Sequence, residues 1–98
     1  MAKSSAHSAQ SSPAAARLTL AHPEGLHARV AASFVQTLRD FQAEATVGWE
    51  GRTVNGRSVL ELLTLGAPYG SVLEVQTTGE DAVAALAALT QVVEQRSS

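Results

Sequence analysis

Gly25, His27 and Arg29 place a flexible backbone point, a nucleophile and a permanent cation within one short stretch, Gly25-Leu26-His27-Ala28-Arg29. Free imidazole is largely uncharged at neutral pH, so a ring nitrogen can attack without first losing a proton. His27 sits where a helix is expected to start, a position that Ser, Thr, Asp or Asn normally fills. At such a position the ring lies beside the orphan N–H groups of the first turn, whose partial positive charge makes an anion site. Arg29 adds a planar guanidinium whose forked donors match phosphate oxygens. Nucleophile, anion site and countercharge in this arrangement point to phosphoryl chemistry on His27. Taken one at a time the same residues are ordinary: a surface histidine, a solvated arginine, and a glycine supplying a loop's positive φ.

The hydrophobic pattern supplies the elements that must position them. Residues 1–16 carry Ser, Ala, Gln and one Pro but no run of large apolar residues, and read as a disordered tail ahead of a domain over 17–95. Leu18 and Leu20 alternate in a strand predicted over Arg17–Ala21, which His22-Pro23-Glu24-Gly25 breaks. Ala31, Phe34, Val35 and Leu38 recur at helical spacing from Ala28 to about Asp40. Glu44–Trp49 and Arg52–Val54 are β-rich runs around Glu50-Gly51, the signature of a hairpin. Ser58 and Glu61 form a capping-box pattern ahead of a short helix that closes at Gly66. A strand over Val72–Gln76 and an Ala-rich helix from Asp81 to about Gln95 complete the order β-α-β-β-α-β-α. That order predicts an α+β domain, a four-stranded, mainly antiparallel sheet with three helices on one face and the other face wet.

Composition narrows the chemistry. A chain of 98 residues suits one domain. The formal net charge of -2 offers no basic field for nucleic acid or an anionic membrane surface. With no cysteine, disulfides, zinc–thiolate sites and cysteine nucleophiles are excluded. No basic stretch followed by an apolar run opens the chain and no long apolar run follows, so a cytoplasmic protein without membrane insertion is expected. His7, His22 and His27 lie 15 and 5 residues apart and match no familiar ligand pattern, so neither metal nor cofactor is expected. A hydrolase is disfavoured because no Ser-His-Asp constellation stands out around His27.

Two motifs taken together, Gly25-Leu26-His27-Ala28-Arg29 with Ala31-Ala32, and Arg57-Ser58 leading into Leu62 and Thr64-Leu65-Gly66, strongly resemble the HPr family of the bacterial phosphoenolpyruvate:sugar phosphotransferase system. The resemblance spans about residues 17–95 and implies that family's open-faced β-sandwich. It implies that His27 is the phosphoacceptor, phosphorylated on Nδ1 by phosphorylated enzyme I and donating to sugar-specific IIA domains, with Arg29 as the active-site arginine. Such a chain is a carrier of the phosphoryl group rather than a true catalyst. Ser58 matches the serine that an HPr kinase/phosphorylase modifies in some members, although a capping box accounts for Ser58 and Glu61 without it. A phosphate at Ser58 would gain from the helix N-terminus and lose from the Glu61 carboxylate. Ala28, Ala32, Val59, Leu60, Leu63 and Thr64 map to the family's docking surface for partners of a monomeric carrier.

Two departures stand out. Val30 occupies the place where the family usually has proline, a residue favoured in a first helical turn. Glu61 puts an acid where many members carry a base, which weakens docking to acidic partners. The alternative to sugar-uptake carriage is a regulatory module of the same family, nitrogen-branch or serine-phosphorylated, that signals through its phosphorylation state.

Overall fold

The computed structural model describes residues 13–95. Strands β1 (Ala14–Thr19), β2 (Glu44–Trp49), β3 (Arg52–Asn55) and β4 (Val72–Thr78) alternate with helices α1 (Ala28–Leu38), α2 (Val59–Leu65) and α3 (Ala82–Glu94) in the predicted order. The strands form one sheet in the order β1-β4-β2-β3. Every neighbouring pair is antiparallel, so β4 sits centrally between the first strand and the hairpin.

Alternation decides the two faces. Along β4, Leu73, Val75 and Thr77 are buried while Val72, Glu74, Gln76 and Thr78 are exposed, the period-2 pattern of a half-covered sheet. The buried face meets Phe34 and Leu38 of α1, Leu62 and Leu65 of α2, and Ala85, Leu89 and Val93 of α3 in one apolar cluster. Fully burying a leucine of this kind contributes about 1.5–3 kcal/mol. Thr77 is the polar residue in this layer, and its hydroxyl donates to the Ala82 carbonyl at 2.7 Å. The opposite face is open and carries the exposed ion pair Arg17–Glu74 at 3.4 Å. The α+β, open-faced arrangement with helices on one side is therefore the one expected.

Element boundaries differ where pairing overrides composition. β1 begins at Ala14 and not at Arg17, because Ala14, Ala15 and Ala16 pair with Thr77, Gln76 and Val75 of β4. Small side chains give no hydrophobic signal, yet their backbones complete the ladder. The expected tail over 1–16 therefore overlaps the strand at its last three residues, and its first twelve lie outside the described residues. β1 ends at Thr19 and not at Ala21, since the Ala21 N–H turns to the Val93 carbonyl of α3 at 3.0 Å. β4 runs to Thr78, two residues beyond the predicted end. The hairpin turn is as read: Trp49 pairs with Arg52, and Glu50 and Gly51 both have positive φ, 53° and 78°, as a two-residue type I′ turn requires.

Candidate functional site

His27 caps α1. Its backbone is extended, φ -101° and ψ -177°, and its carbonyl accepts the first intrahelical bond from the Ala31 N–H at 2.9 Å. The Arg29 N–H donates to the ring Nδ1 at 3.3 Å. On the other side of the ring Nε2 lies 3.0 Å from Glu24 Oε1. An acceptor at Nδ1 and a carboxylate at Nε2 select the tautomer with its proton on Nε2. The lone pair of Nδ1 thus faces the Arg29 amide in the first helical turn, where an anion carried on that nitrogen would lie at a helix N-terminus.

The segment leading to His27 is fastened to two neighbouring elements. The Leu26 side chain is buried in the core and its N–H donates to the Ala67 carbonyl at 2.9 Å. Gly25 has φ 79°, and a Cβ there would stand 2.7 Å from the Ala67 oxygen, so both conformation and close approach demand glycine. The His22 ring Nε2 is 2.6 Å from the Val92 carbonyl, and the Thr19 N–H donates to Glu94 Oε2 at 2.9 Å. The last turn of α3 and the loop after α2 together hold the loop that presents His27.

His22, Pro23, Glu24, His27 and Arg29 line a shallow hollow of about 170 Å³. Arg29 is exposed, and among the described residues its guanidinium has no carboxylate partner. The structure thus brings His27 and Arg29 together as expected and adds Glu24 and His22, which sequence reasoning took for a strand-breaking turn and, for His22, a weak ligand candidate. The Glu24-to-His27 spacing of three residues was the available signal. Among the described residues no group of three or more His, Cys, Asp or Glu side chains converges to hold a metal ion, and His7 lies outside them. A larger hollow of about 410 Å³ on the open sheet face is lined by Arg17, Thr46, Thr53, Glu74 and Gln76 and contains no comparable nucleophile.

The second motif folds differently from its expected capping box. Ser58 caps α2, and its Oγ accepts the Glu61 N–H at 3.1 Å. The Glu61 carboxylate does not return to the Ser58 N–H; it accepts the Asn55 N–H at 2.9 Å, while the Ser58 N–H donates to the Asn55 carbonyl at 3.2 Å. The box is half formed because the backbone of Asn55 at the end of β3 takes its second arm. Arg57 is structural, with Nε 3.1 Å from Glu44 Oε1 and an Nη2–H donated to the Ala43 carbonyl at 2.9 Å. Of the six docking candidates, Leu60 is 76% exposed, Ala28 and Thr64 are exposed, and Ala32, Val59 and Leu63 are half-buried. Leu62 and Leu65 face the core instead, and Tyr69, which the sequence did not single out, is a further large exposed side chain.

No helix among the described residues is long and apolar enough to cross a membrane. The family described as "PTS HPr component phosphorylation site" matches residues 14–95. The chain is 40% identical over 79 residues to the phosphocarrier protein HPr of Xylella fastidiosa strain Temecula1, covering 81% of this chain and 89% of that one. It is similar in structure to the phosphocarrier protein HPr of Bacillus anthracis strain Ames, with a TM-score of 0.80 and 35% identity over 85% of this chain and 99% of that one. A second similar structure is the Bacillus subtilis catabolite repression protein Crh in a swapped, intertwined dimer, with a TM-score of 0.67 and 34% identity over 72% of this chain and 82% of that one. With a histidine at a helix N-terminus, an arginine two residues on and these relatives, the chain belongs to the HPr family of phosphocarrier proteins.

Proposed function

We propose that this protein is a histidine phosphocarrier that accepts a phosphoryl group from phosphorylated enzyme I on Nδ1 of His27 and donates it to IIA domains, as a monomer in the cytoplasm. One observation carries the reading: the Nδ1 lone pair of His27 faces the Arg29 N–H in the first turn of α1 while Nε2 is engaged by Glu24. A phosphoryl group on Nδ1 would lie at that helix N-terminus within reach of the guanidinium of Arg29, which together would hold a dianion without enclosing it. His27 retains about a third of its side-chain exposure, so a partner's acceptor can reach it. Leu60, with Ala28, Ala32, Val59, Leu63 and Thr64 around it, offers the small apolar surface that a transient partner needs.

A regulatory reading draws on the likeness to Crh and on Ser58, which is partly exposed and is the residue an HPr kinase/phosphorylase would modify. It has less support than carriage, because Ser58 already serves as a helix cap and the acceptor geometry at His27 is intact. The test is intact-protein mass after incubation with phosphoenolpyruvate and enzyme I, for the wild type and His27→Ala. An acid-labile gain of one phosphoryl group in the wild type alone is the expected result. Absence of any adduct on the wild type would turn the reading toward regulation.

A further inference from the structure

The contact between Glu24 and His27 is one that the phosphocarrier reading does not itself require. The carboxylate lies 3.0 Å from Nε2, three residues before the histidine, on a turn closed by the Gly25 N–H donating to the His22 carbonyl at 2.8 Å. Glu24 is 74% exposed and has no cation among the described residues other than a protonated His27. It therefore contributes nothing to the core, and its position beside the ring is where its effect must be sought.

We infer that Glu24 is a positioning residue for phosphoryl transfer, keeping the proton on Nε2 and stabilising the imidazolium that forms when Nδ1 carries the phosphoryl group. The inference rests on the carrier reading. In the acceptance step the Nδ1 lone pair forms a bond to phosphorus as the P–N bond of the donor's phosphohistidine breaks and its electron pair returns to the donor ring. The acceptor ring then holds phosphorus on Nδ1, a proton on Nε2 and one positive charge. No proton has to move, because Nε2 was protonated at the start. In donation the same electrons flow in reverse: the N–P pair returns to a ring that is still protonated on Nε2, and so leaves as a neutral imidazole. A carboxylate hydrogen-bonded to Nε2–H favours the charged ring over the neutral one, as the aspartate of a serine-protease triad does for its histidine. It thereby holds the carried group in the form that is ready to leave. The other charged or titratable groups at the hollow are Arg29, on α1, and His22, whose Nε2–H is committed to the Val92 carbonyl. The Glu94 carboxylate, from α3, is engaged by the Thr19 N–H. None of these contacts Nε2 of His27.

The experiment compares wild type, Glu24→Ala and Glu24→Gln, each phosphorylated with phosphoenolpyruvate and enzyme I. Imidazole nitrogen NMR at neutral pH reads the ratio of phosphohistidine protonated on Nε2 to that unprotonated, and rapid quench reads the rate of transfer to a IIA domain. In Glu24→Ala both quantities should fall about two- to fivefold, the size set by an exposed charge pair. Glu24→Gln keeps a hydrogen-bond acceptor but no charge, and should fall with it; full rescue by glutamine would overturn the charge role. Unchanged ratio and rate in Glu24→Ala would overturn the inference while leaving carriage intact. A wild type that gains no phosphoryl group would instead sink the carrier reading itself, and the inference with it.

Discussion

Helices α1 and α2 both begin with a side chain that accepts a backbone N–H, yet the two N-termini differ in capping strength and in charge. At α1 the cap is His27, the accepted bond is 3.3 Å, and no acidic residue stands in the first turn. At α2 the cap is Ser58, the bond is 3.1 Å, and Glu61 in the first turn brings a carboxylate to the positive end of the helix. Serine is among the best caps, whereas histidine is not among the favoured cap residues. α1 therefore gives up capping strength and leaves its amide charge unneutralised, while α2 spends both on holding β3 and the helix together. An incoming anion is drawn to α1 and opposed at α2 by Glu61.

The largest expected effect comes from exchanging one cap type for the other. His27→Ser should abolish phosphoryl acceptance altogether and yet hold or raise thermal stability, since a better cap replaces a poorer one; a large loss of stability would mean that the histidine ring itself supports the fold. The converse test is Ser58→Ala. Removing that cap should cost about 1 kcal/mol, lowering the melting temperature by about 4–8 °C for a domain of this size, with phosphoryl acceptance at His27 unchanged. Loss of acceptance there would break the separation between the two ends. The smallest effect is expected for Val30→Pro. Val30 is the third residue of α1, and the first intrahelical bond is made by the next amide, Ala31, so proline removes no helical hydrogen bond. The Val30 side chain is buried, however, and the stability change should stay within about 1 kcal/mol by thermal denaturation.

Much of the molecule was legible from local pattern. Phe34, Val35 and Leu38 recur at helical spacing and are buried. The Glu50-Gly51 turn was readable because two β-rich runs flank a two-residue break ending in glycine, a pattern internal to a few residues, although Glu50 adopts a positive φ that its residue type does not favour. The pairing of a histidine with an arginine two residues on, at a helix start, likewise lies within one turn. What escaped were features whose second partner lies far along the chain or competes with a nearer one. Ala14 to Ala16 become strand only through Thr77, Gln76 and Val75, some sixty residues away. Glu61 was read as closing on Ser58, but the Asn55 amide, brought in by the end of β3, took its carboxylate.

The sequence by itself determined the order of elements, the buried face of α1 and the choice of His27 as the candidate site, because periodicity, capping and side-chain chemistry act over a few residues, whereas in α3 the expected face was displaced, Val83 being 75% exposed and Ala82 and Ala85 buried. Tertiary structure alone decided how His27 is presented. Leu26 reaches the Ala67 carbonyl, His22 reaches Val92, and the resulting loop turns the Glu24 carboxylate onto Nε2. A side chain's reach is set by local spacing, but which ring nitrogen it finds depends on the φ and ψ of a loop fixed from outside. That is why the candidate histidine could be named from its neighbours in sequence, and its tautomer only from its neighbours in space.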